Sequence, residues 1–478
     1  MAKGVMKPNG LDARRTIGFA VVTFLLFLTP ARGQSVDVGA IEKLVVQAVD
    51  ENRLVGLSVG VMRDGKVVLN KGYGVRSVAS REPVTPETMF AIGSITKQFT
   101  CAAALLLAED RKLSLDDKVD KYLPQLTRAK EISLLDLGQH VAGFPDYYPL
   151  DFVHRAMAAP RPAEAIIKDY GTRPLDFDPG TRWSYSNTGF LILGQVIERV
   201  SGEGFGRFLN RRVLAPLAMK HTQYEARRGQ EGQAVGYTLF ALGSPEIAIP
   251  EGDGWIGAAG GLWSTPADLL AWDLALTQGK VLSESSYRTL TTPRRLSDGR
   301  STGYGCGLGV RDGGRALVLT HSGGVGGFVS VNTFVPASRS GVVLLTNTDS
   351  ATAALVALRD AILPMLLPPP AGTPEVKGPP ALTTAVTMMH LLQKGEVDRS
   401  QLGEDYNIFL TSEKLKAAAV SLGALGEPTS AEVAEVNERG GMEVSKVRFR
   451  FKGASVEALM YRTPDGRIQE FLVSRQSP

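Results

Sequence analysis

Ser94 and Lys97 are the two residues of this sequence best placed to do chemistry together. They stand in Gly93-Ser94-Ile95-Thr96-Lys97, where the serine opens a dense apolar stretch from Ile95 to Leu107. A helix there puts Lys97, three residues on, on the same face as Ser94. Lys97 is also the only charged residue between Glu87 and Glu109. An ammonium on a helix built for burial is costly unless it is paired or put to use. Desolvation lowers a lysine's pKa and makes it a base, while its charged form can activate a neighbour. The helix N-terminus adds partial positive charge where an oxyanion would form. The plainer reading keeps Ser94 as an ordinary N-cap and lets Lys97 snorkel to the surface.

Other chemistries are poorly supported. Gly56-Leu57-Ser58-Val59-Gly60 matches G-x-S-x-G, a motif that needs its serine on a strained turn from strand into helix. Here Ser58 lies inside an alternating run that continues to Asp64-Gly65, so a hairpin strand is expected and Ser58 is a decoy. The five histidines, at 140, 154, 221, 321 and 390, show no metal-ligand spacing. There is no P-loop lysine motif, and the glycines from Gly323 to Gly327 do not lie between a strand and a helix. Neither a metal nor an organic cofactor is expected. Cys101, seven residues after Ser94, is expected as buried packing on the same helix face; a Cys101–Cys306 bridge is allowed by export but not required.

The surrounding elements read as a mixed α/β body. Val38 to Val49 and Phe190 to Val200 have helical spacing, and Leu57 to Gly74 alternates like two strands about the Asp64-Gly65 turn. Strand-like runs return at Ala316–Leu319, Phe328–Val335 and Gly341–Thr346, followed by a closing helix at Ala351–Leu366. Seven of the 27 prolines fall between Pro364 and Pro380, which suits an extended linker. Beyond it come helices and then a meander of Val444–Phe451, Ser455–Tyr461 and Ile468–Val473, the last two joined across Asp465-Gly466.

Two further motifs give Ser94 and Lys97 company. Tyr185-Ser186-Asn187 follows the turn Asp178-Pro179-Gly180, and His321-Ser322-Gly323 follows the strand-like Ala316–Leu319. Singly, Tyr185 reads as well as a core tyrosine, Asn187 as a turn residue and His321 as the start of a glycine turn. In this order, with Ser94-Ile95-Thr96-Lys97, the three motifs resemble the serine β-lactamase and penicillin-binding protein superfamily, in its class C-like branch. That branch also holds D-peptidases and esterases. Supporting stretches are Phe177 to Asn187, Pro216-Leu217-Ala218-Met219, and Ala258 to Asp268, so the resemblance covers about residues 40 to 365.

The resemblance implies a role for each residue. Ser94 would be the acylated nucleophile. Lys97 and Tyr185 would share the proton work, with Lys97 lowering the pKa of Tyr185 from its usual ~10 so that a phenolate can accept the serine proton. Asn187 would orient Lys97 and bind the substrate amide or ester. The N–H groups of Ser94 and Gly324 would form the oxyanion hole, and His321 and Gly323 would line the strand edge where the polar end of the substrate lies. His321 departs from many β-lactamases and transpeptidases, which carry lysine there. A histidine with pKa ~6.5 is mostly neutral at pH 7 and weakens β-lactamase activity without excluding it. Val141-Ala142-Gly143 after His140 departs from Thr-Ser-Gly and is expected to be a structural loop.

Composition fits this picture. The 478 residues are 44% hydrophobic and 21% charged, as in a globular protein with ample core. Lys3, Lys7, Arg14 and Arg15 precede an apolar run from Thr16 to Thr29 and then Ala31-Arg32-Gly33, the pattern of a secretory signal. Removing residues 1–33 takes away five bases and one acid, which leaves bases and acids equal. The formal charge of +4 is therefore no argument for nucleic acid. An uncleaved membrane anchor is the alternative for this segment.

The expected organisation is a signal at 1–33, a hydrolase body at 34–366, a proline-rich linker at 367–380 and an α+β accessory domain at 381–478. The expected fold is β-lactamase/transpeptidase-like, an antiparallel sheet flanked by helices with a helical subdomain. The expected protein is a periplasmic or secreted serine hydrolase acting through an acyl-enzyme on small esters, amides or D-amino-acid peptides. A β-lactamase or DD-carboxypeptidase is the alternative, and a catalytically idle binder of peptidoglycan-like ligands stands as a third reading. No nucleic acid and, after signal cleavage, no membrane partner is expected. Lys446, Arg448 and Arg450 of the accessory domain, with Glu443, Glu457 and Glu470 nearby in sequence, read as a solvated face, and its protein partner is left open.

Overall fold

The computed structural model describes residues 36–475 apart from 151, 227–228, 313–315 and 368–372. The signal-like segment 1–33 and part of the proline-rich stretch lie outside the described residues. Among the described residues, no helix is long and apolar enough to cross a membrane.

The main sheet is antiparallel and has six strands: β1 (Gly56–Arg63), β2 (Lys66–Gly74), β3 (Gly309–Asp312), β4 (Leu317–Val325), β5 (Phe328–Val335) and β6 (Ser340–Thr346). Their spatial order is β2-β1-β6-β5-β4-β3, so strands from the beginning and the end of the body lie side by side at β1 and β6. β1 and β2 turn back through Asp64 and Gly65, both at positive φ, as a two-residue hairpin on an Asp-Gly pair should. Ser58 sits mid-strand in β1, opposite Leu345 of β6, and is fully buried. Its hydroxyl is no nucleophile elbow.

Both faces of the sheet are covered. On one, α1 (Val38–Glu51) and α5 (Thr352–Leu366) enclose Val59, Val61, Val331, Val342 and Leu344 with Ile41, Val45, Leu355 and Ile362. Asp37 caps α1 by accepting from the Ala40 N–H (2.9 Å). On the other face lie α2 (Thr96–Glu109), α3 (Asn187–Ser201) and α4 (Pro266–Thr277), within the larger core that contains Phe99, Phe190, Trp272 and Phe334. Burial on both sides explains why β1, β5 and β6 read as near-continuous apolar runs. A small sheet of Phe90–Ala91, Leu262–Ser264 and Gln223–Tyr224 leads the chain to the start of α2, and the Ile92 N–H donates to Leu262 O (3.0 Å).

Two expectations need correction here. Cys101 is buried, but not as a lone packing residue: it is bonded to Cys306, 205 residues away, with Cα atoms 5.8 Å apart. The fold lays the segment around Cys306 along α2, where Cys306 N–H donates to Leu290 O (2.9 Å) and Gly307 N–H to Gly138 O (3.0 Å). No local spacing shows that approach. A Cys101→Ala/Cys306→Ala variant is expected to lose about 2–5 kcal/mol of stability, because the closed loop is long. Urea unfolding followed by fluorescence checks this, and an unchanged midpoint would refute it.

The second correction concerns the C-terminal sheet. Helices α6 (Ala381–Lys394), α7 (Glu404–Phe409) and α8 (Ser412–Gly423) precede four antiparallel strands, β7 (Ser430–Arg439), β8 (Met442–Phe451), β9 (Ala454–Arg462) and β10 (Ile468–Arg475). They share a core of Met388, Met389, Leu392, Phe449, Met460 and Phe471. β7 did not show in the sequence reading, yet it supplies the partners of the basic stripe. Lys446 meets Glu435 (2.6 Å), while Arg448 (3.0 Å) and Arg450 (3.8 Å) meet Glu432. Glu443 instead pairs with buried Arg462 (2.6 Å), which also donates to Pro379 O (2.7 Å).

Candidate active site

The start of α2 decides between the two readings of Ser94. A single 3₁₀ turn, Gly93–Ile95, precedes the helix, and no side chain caps either element. Ser94 Oγ instead lies 2.9 Å from Lys97 Nζ and accepts from the Tyr185 hydroxyl at 2.6 Å. Lys97 does not snorkel. It is completely buried, and its other contacts are Asn187 Oδ1 (2.8 Å) and Ala259 O (2.8 Å). Three acceptors satisfy a charged ammonium. A neutral amine would donate to Asn187 and Ala259 and leave its lone pair toward the serine hydroxyl.

The electrostatics make that neutral form accessible near pH 7. Burial brings the Lys97 pKa down to about 7, with the carboxylate of Asp146 opposing the fall. Tyr185 moves the other way. Burial holds its phenol well above the usual tyrosine value, although its hydrogen bond to Ser94 pulls it down. Burial therefore opposes the expected phenolate. A lysine that is itself half neutral at pH 7 supplies no permanent cation to hold the anion.

Asn187 opens α3, held by a residue that carried no motif. The Asp146 carboxylate accepts from the Asn187 backbone N–H (3.0 Å) and from its Nδ2 (3.2 Å). This fixes Asn187 Oδ1 toward Lys97. Burial raises the Asp146 pKa. His140 is the second residue the motifs missed. Its ring lies 4.2 Å from that of Tyr185, centroid to centroid, and its Nδ1 accepts from the Ser186 N–H (3.1 Å). The loop beginning at His140 thus backs the catalytic tyrosine candidate. Burial first, then the charge of Lys97, keeps His140 well below its ordinary pKa.

His321-Ser322-Gly323 lies inside β4, which runs on to Val325 because β5 pairs with it as far as Phe328 opposite Val325. β3 pairs only with Leu317–Thr320, so the outer edge from His321 onward carries no further strand among the described residues. Gly324 is exposed on this edge, and its N–H lies close against Gly93 beside Ser94. Gly323 is buried against Ile92. His321 is on the edge as expected, but its ring is not offered to a substrate. Nδ1 donates to Ser322 O (2.5 Å), which leaves Nε2 to accept from the Tyr304 hydroxyl (2.8 Å). Burial takes its pKa down to about 3, so the ring is neutral. The strand edge and the Ser94, Lys97, Tyr185 and Asn187 set are brought together in one cleft.

Residues 41–365 match the family model described as Beta-lactamase. The chain belongs to the Beta-lactamase family. Its fold is that of the serine β-lactamase and penicillin-binding proteins, with a mixed α/β body and a small C-terminal β domain. Two curated relatives are the D-aminopeptidase of Gluconobacter oxydans, 34% identical over 302 residues (62% of this chain, 56% of that one), and the D-aminopeptidase of Brucella anthropi, 30% identical over 303 residues (61% and 56%). The chain spans about half the length of these relatives. Among solved structures, the octameric penicillin-binding protein homologue from Pyrococcus abyssi aligns over 92% of this chain and 97% of its own, with a TM-score of 0.61 and 23% identity. The D-amino acid amidase from Ochrobactrum anthropi SV3 aligns over 68% and 98%, with a TM-score of 0.59 and 23% identity. These two show the fold of the Beta-lactamase family body.

Proposed function

We propose that this protein is an exported serine hydrolase that forms an acyl-enzyme at Ser94 with D-amino-acid amides, esters or short peptides. The observation that carries the proposal is Ser94 Oγ held between Lys97 Nζ and the Tyr185 hydroxyl, beside the open edge at Gly324. Neutral Lys97 takes the serine proton as Oγ attacks the substrate carbonyl. The N–H groups of Ser94 and Gly324 receive the developing oxyanion. Lys97, now charged, returns the proton, directly or by way of the Tyr185 hydroxyl, to the leaving nitrogen or oxygen. Water then repeats the sequence to free Ser94. The names of the curated relatives support D-amino-acid substrates. The signal-like segment and the Cys101–Cys306 bond support export, since such bonds persist in oxidising compartments.

A β-lactam substrate is less well served. Its carboxylate would meet no cation at position 321, because both His321 nitrogens are engaged and the ring is neutral. An idle binder would have no use for a buried lysine coupled to a serine. Intact-mass time courses with the D- and L-phenylalanine esters, and turnover of the matching p-nitroanilides, test the reading. An acyl adduct absent from Ser94→Ala is expected, with D over L turnover by about tenfold or more. No adduct and no turnover with either ester or amide would reject it.

A further inference from the structure

Hydrogen bonds along one wall of the cleft continue past the residues so far assigned. The Asp146 carboxylate that holds Asn187 also accepts from the Tyr148 N–H (3.1 Å). The Tyr148 hydroxyl in turn donates to Glu251 Oε1 at 2.8 Å. That same oxygen accepts from the Gly326 N–H at 2.9 Å. Gly326 lies in the turn from β4 to β5, two residues beyond Gly324. One carboxylate oxygen therefore joins the Asp146–Asn187 wall to the strand that carries the oxyanion donor.

Glu251 is well suited to hold that separation. It is only 5% exposed, and polar oxygens this buried are costly unless donors satisfy them. Its loop is itself fixed: the Trp255 indole N–H donates to Ala159 O (2.8 Å), and the Tyr147 hydroxyl donates to Trp255 O. The loop runs directly into the short helix Gly257–Gly260, whose Ala259 carbonyl accepts from Lys97 (2.8 Å) and whose Ala258 carbonyl accepts from Thr100 Oγ1 (2.7 Å). Movement of the tie would be felt at the lysine as well as at the strand edge.

We propose that Glu251 is a positioning residue that sets the distance between Gly324 N–H and Asn187, and so aligns the substrate carbonyl with Ser94. This rests on the acyl-enzyme reading above. The test uses the full chain and a D-phenylalanine p-nitroanilide, with Glu251→Ala, Glu251→Gln, Tyr148→Phe and the Glu251→Ala/Tyr148→Phe double variant. Glu251→Ala is expected to lose about 100-fold in kcat with a much smaller change in KM, the size seen when a reacting group is displaced by about 1 Å. Glu251→Gln is expected to recover activity to within about fivefold of wild type, because its amide oxygen still accepts both bonds. The double variant is expected to be no worse than Glu251→Ala, since both changes cut one tie.

Additive losses, or a Glu251→Ala kcat within threefold of wild type, would overturn the proposal. A Glu251→Gln variant as poor as Glu251→Ala, with KM raised, would overturn it in favour of direct binding of a cationic substrate by the charge. If Glu251→Ala fails to fold, the Gln and Tyr148→Phe variants carry the test: near-wild-type kcat for Gln and a loss for Phe support it, and any other pair of results refutes it. A wild-type protein without turnover, or an active Ser94→Ala control, would reject the acyl-enzyme reading instead.

Discussion

Lys97→Ala is expected to cut kcat/KM by roughly 10⁴-fold, with Ser94→Ala at least as damaging and the double variant no worse than the poorer single change. The two side chains act on one proton, so removing either removes the same step. Alanine at 97 also takes away the group that orders Asn187 Oδ1 and sits 2.9 Å from Ser94 Oγ. The pH dependence separates a base from a mere packing residue. Lys97 accepts a proton only when neutral, and burial brings its pKa down to about 7. Wild-type kcat/KM should therefore fall tenfold for each pH unit below about 7 and level off above it. The residual activity of Lys97→Ala should lack that limb. A wild-type profile flat from pH 5 to 9, or a variant that keeps the limb, would remove Lys97 from the proton path.

Gly323→Ala is expected to lower kcat by about 100- to 1000-fold, the cost of moving one oxyanion donor. A Cβ at this position would lie 2.0 Å from Ile92 O and 2.5 Å from Ser330 Oγ. The serine hydroxyl can rotate, although it now donates to Ile92 O (2.8 Å). The carbonyl cannot yield without carrying Gly93 and Ser94 with it. Either the Gly93-Ser94 turn or the strand edge must shift, and both donors of the proposed oxyanion hole sit on those two segments. Overpacking of this kind also costs about 1–3 kcal/mol of stability. Gly324→Ala is the control: its Cβ would enter open space, so its melting temperature should match wild type. Comparing kcat, KM and Tm of the two variants checks the argument. A Gly323→Ala enzyme with kcat within threefold of wild type would refute it.

The parts of this site that could be read from sequence are those written in contiguous motifs. Ser94 and Lys97 share a helix face, Tyr185 and Asn187 are two residues apart, and the Asp64-Gly65 hairpin is a local event. Residues that act through long-range approach left no such mark. Asp146 stands in an ordinary Gly-Phe-Pro-Asp turn, and only the fold brings it under Asn187, 41 residues on. Tyr304 gains meaning from its hydrogen bond to His321, and Cys306 from its bond to Cys101. The resemblance implies His321 as a lining residue of the strand edge, while the strand run legible in the sequence ends at Leu319. Pairing with β5 carries β4 through the motif and turns that ring inward. Burial also works against the phenolate that the resemblance implies for Tyr185. Burial acts on both members of the pair, and an argument from charge alone sees only the lysine.

The place of β1 in the sheet has a consequence for the newly made chain. Its neighbours are β2, which follows at once, and β6, whose Thr346 hydroxyl donates to Gly56 O from 290 residues away. A ribosome must therefore deliver most of the body before β1 can seat against β6, and pairing over so long a separation slows folding. During that interval the leading segment has its hairpin but no sheet to join. A chain that stays unfolded while it is threaded can pass a narrow conduit before it closes, and only then bring Cys101 within reach of Cys306.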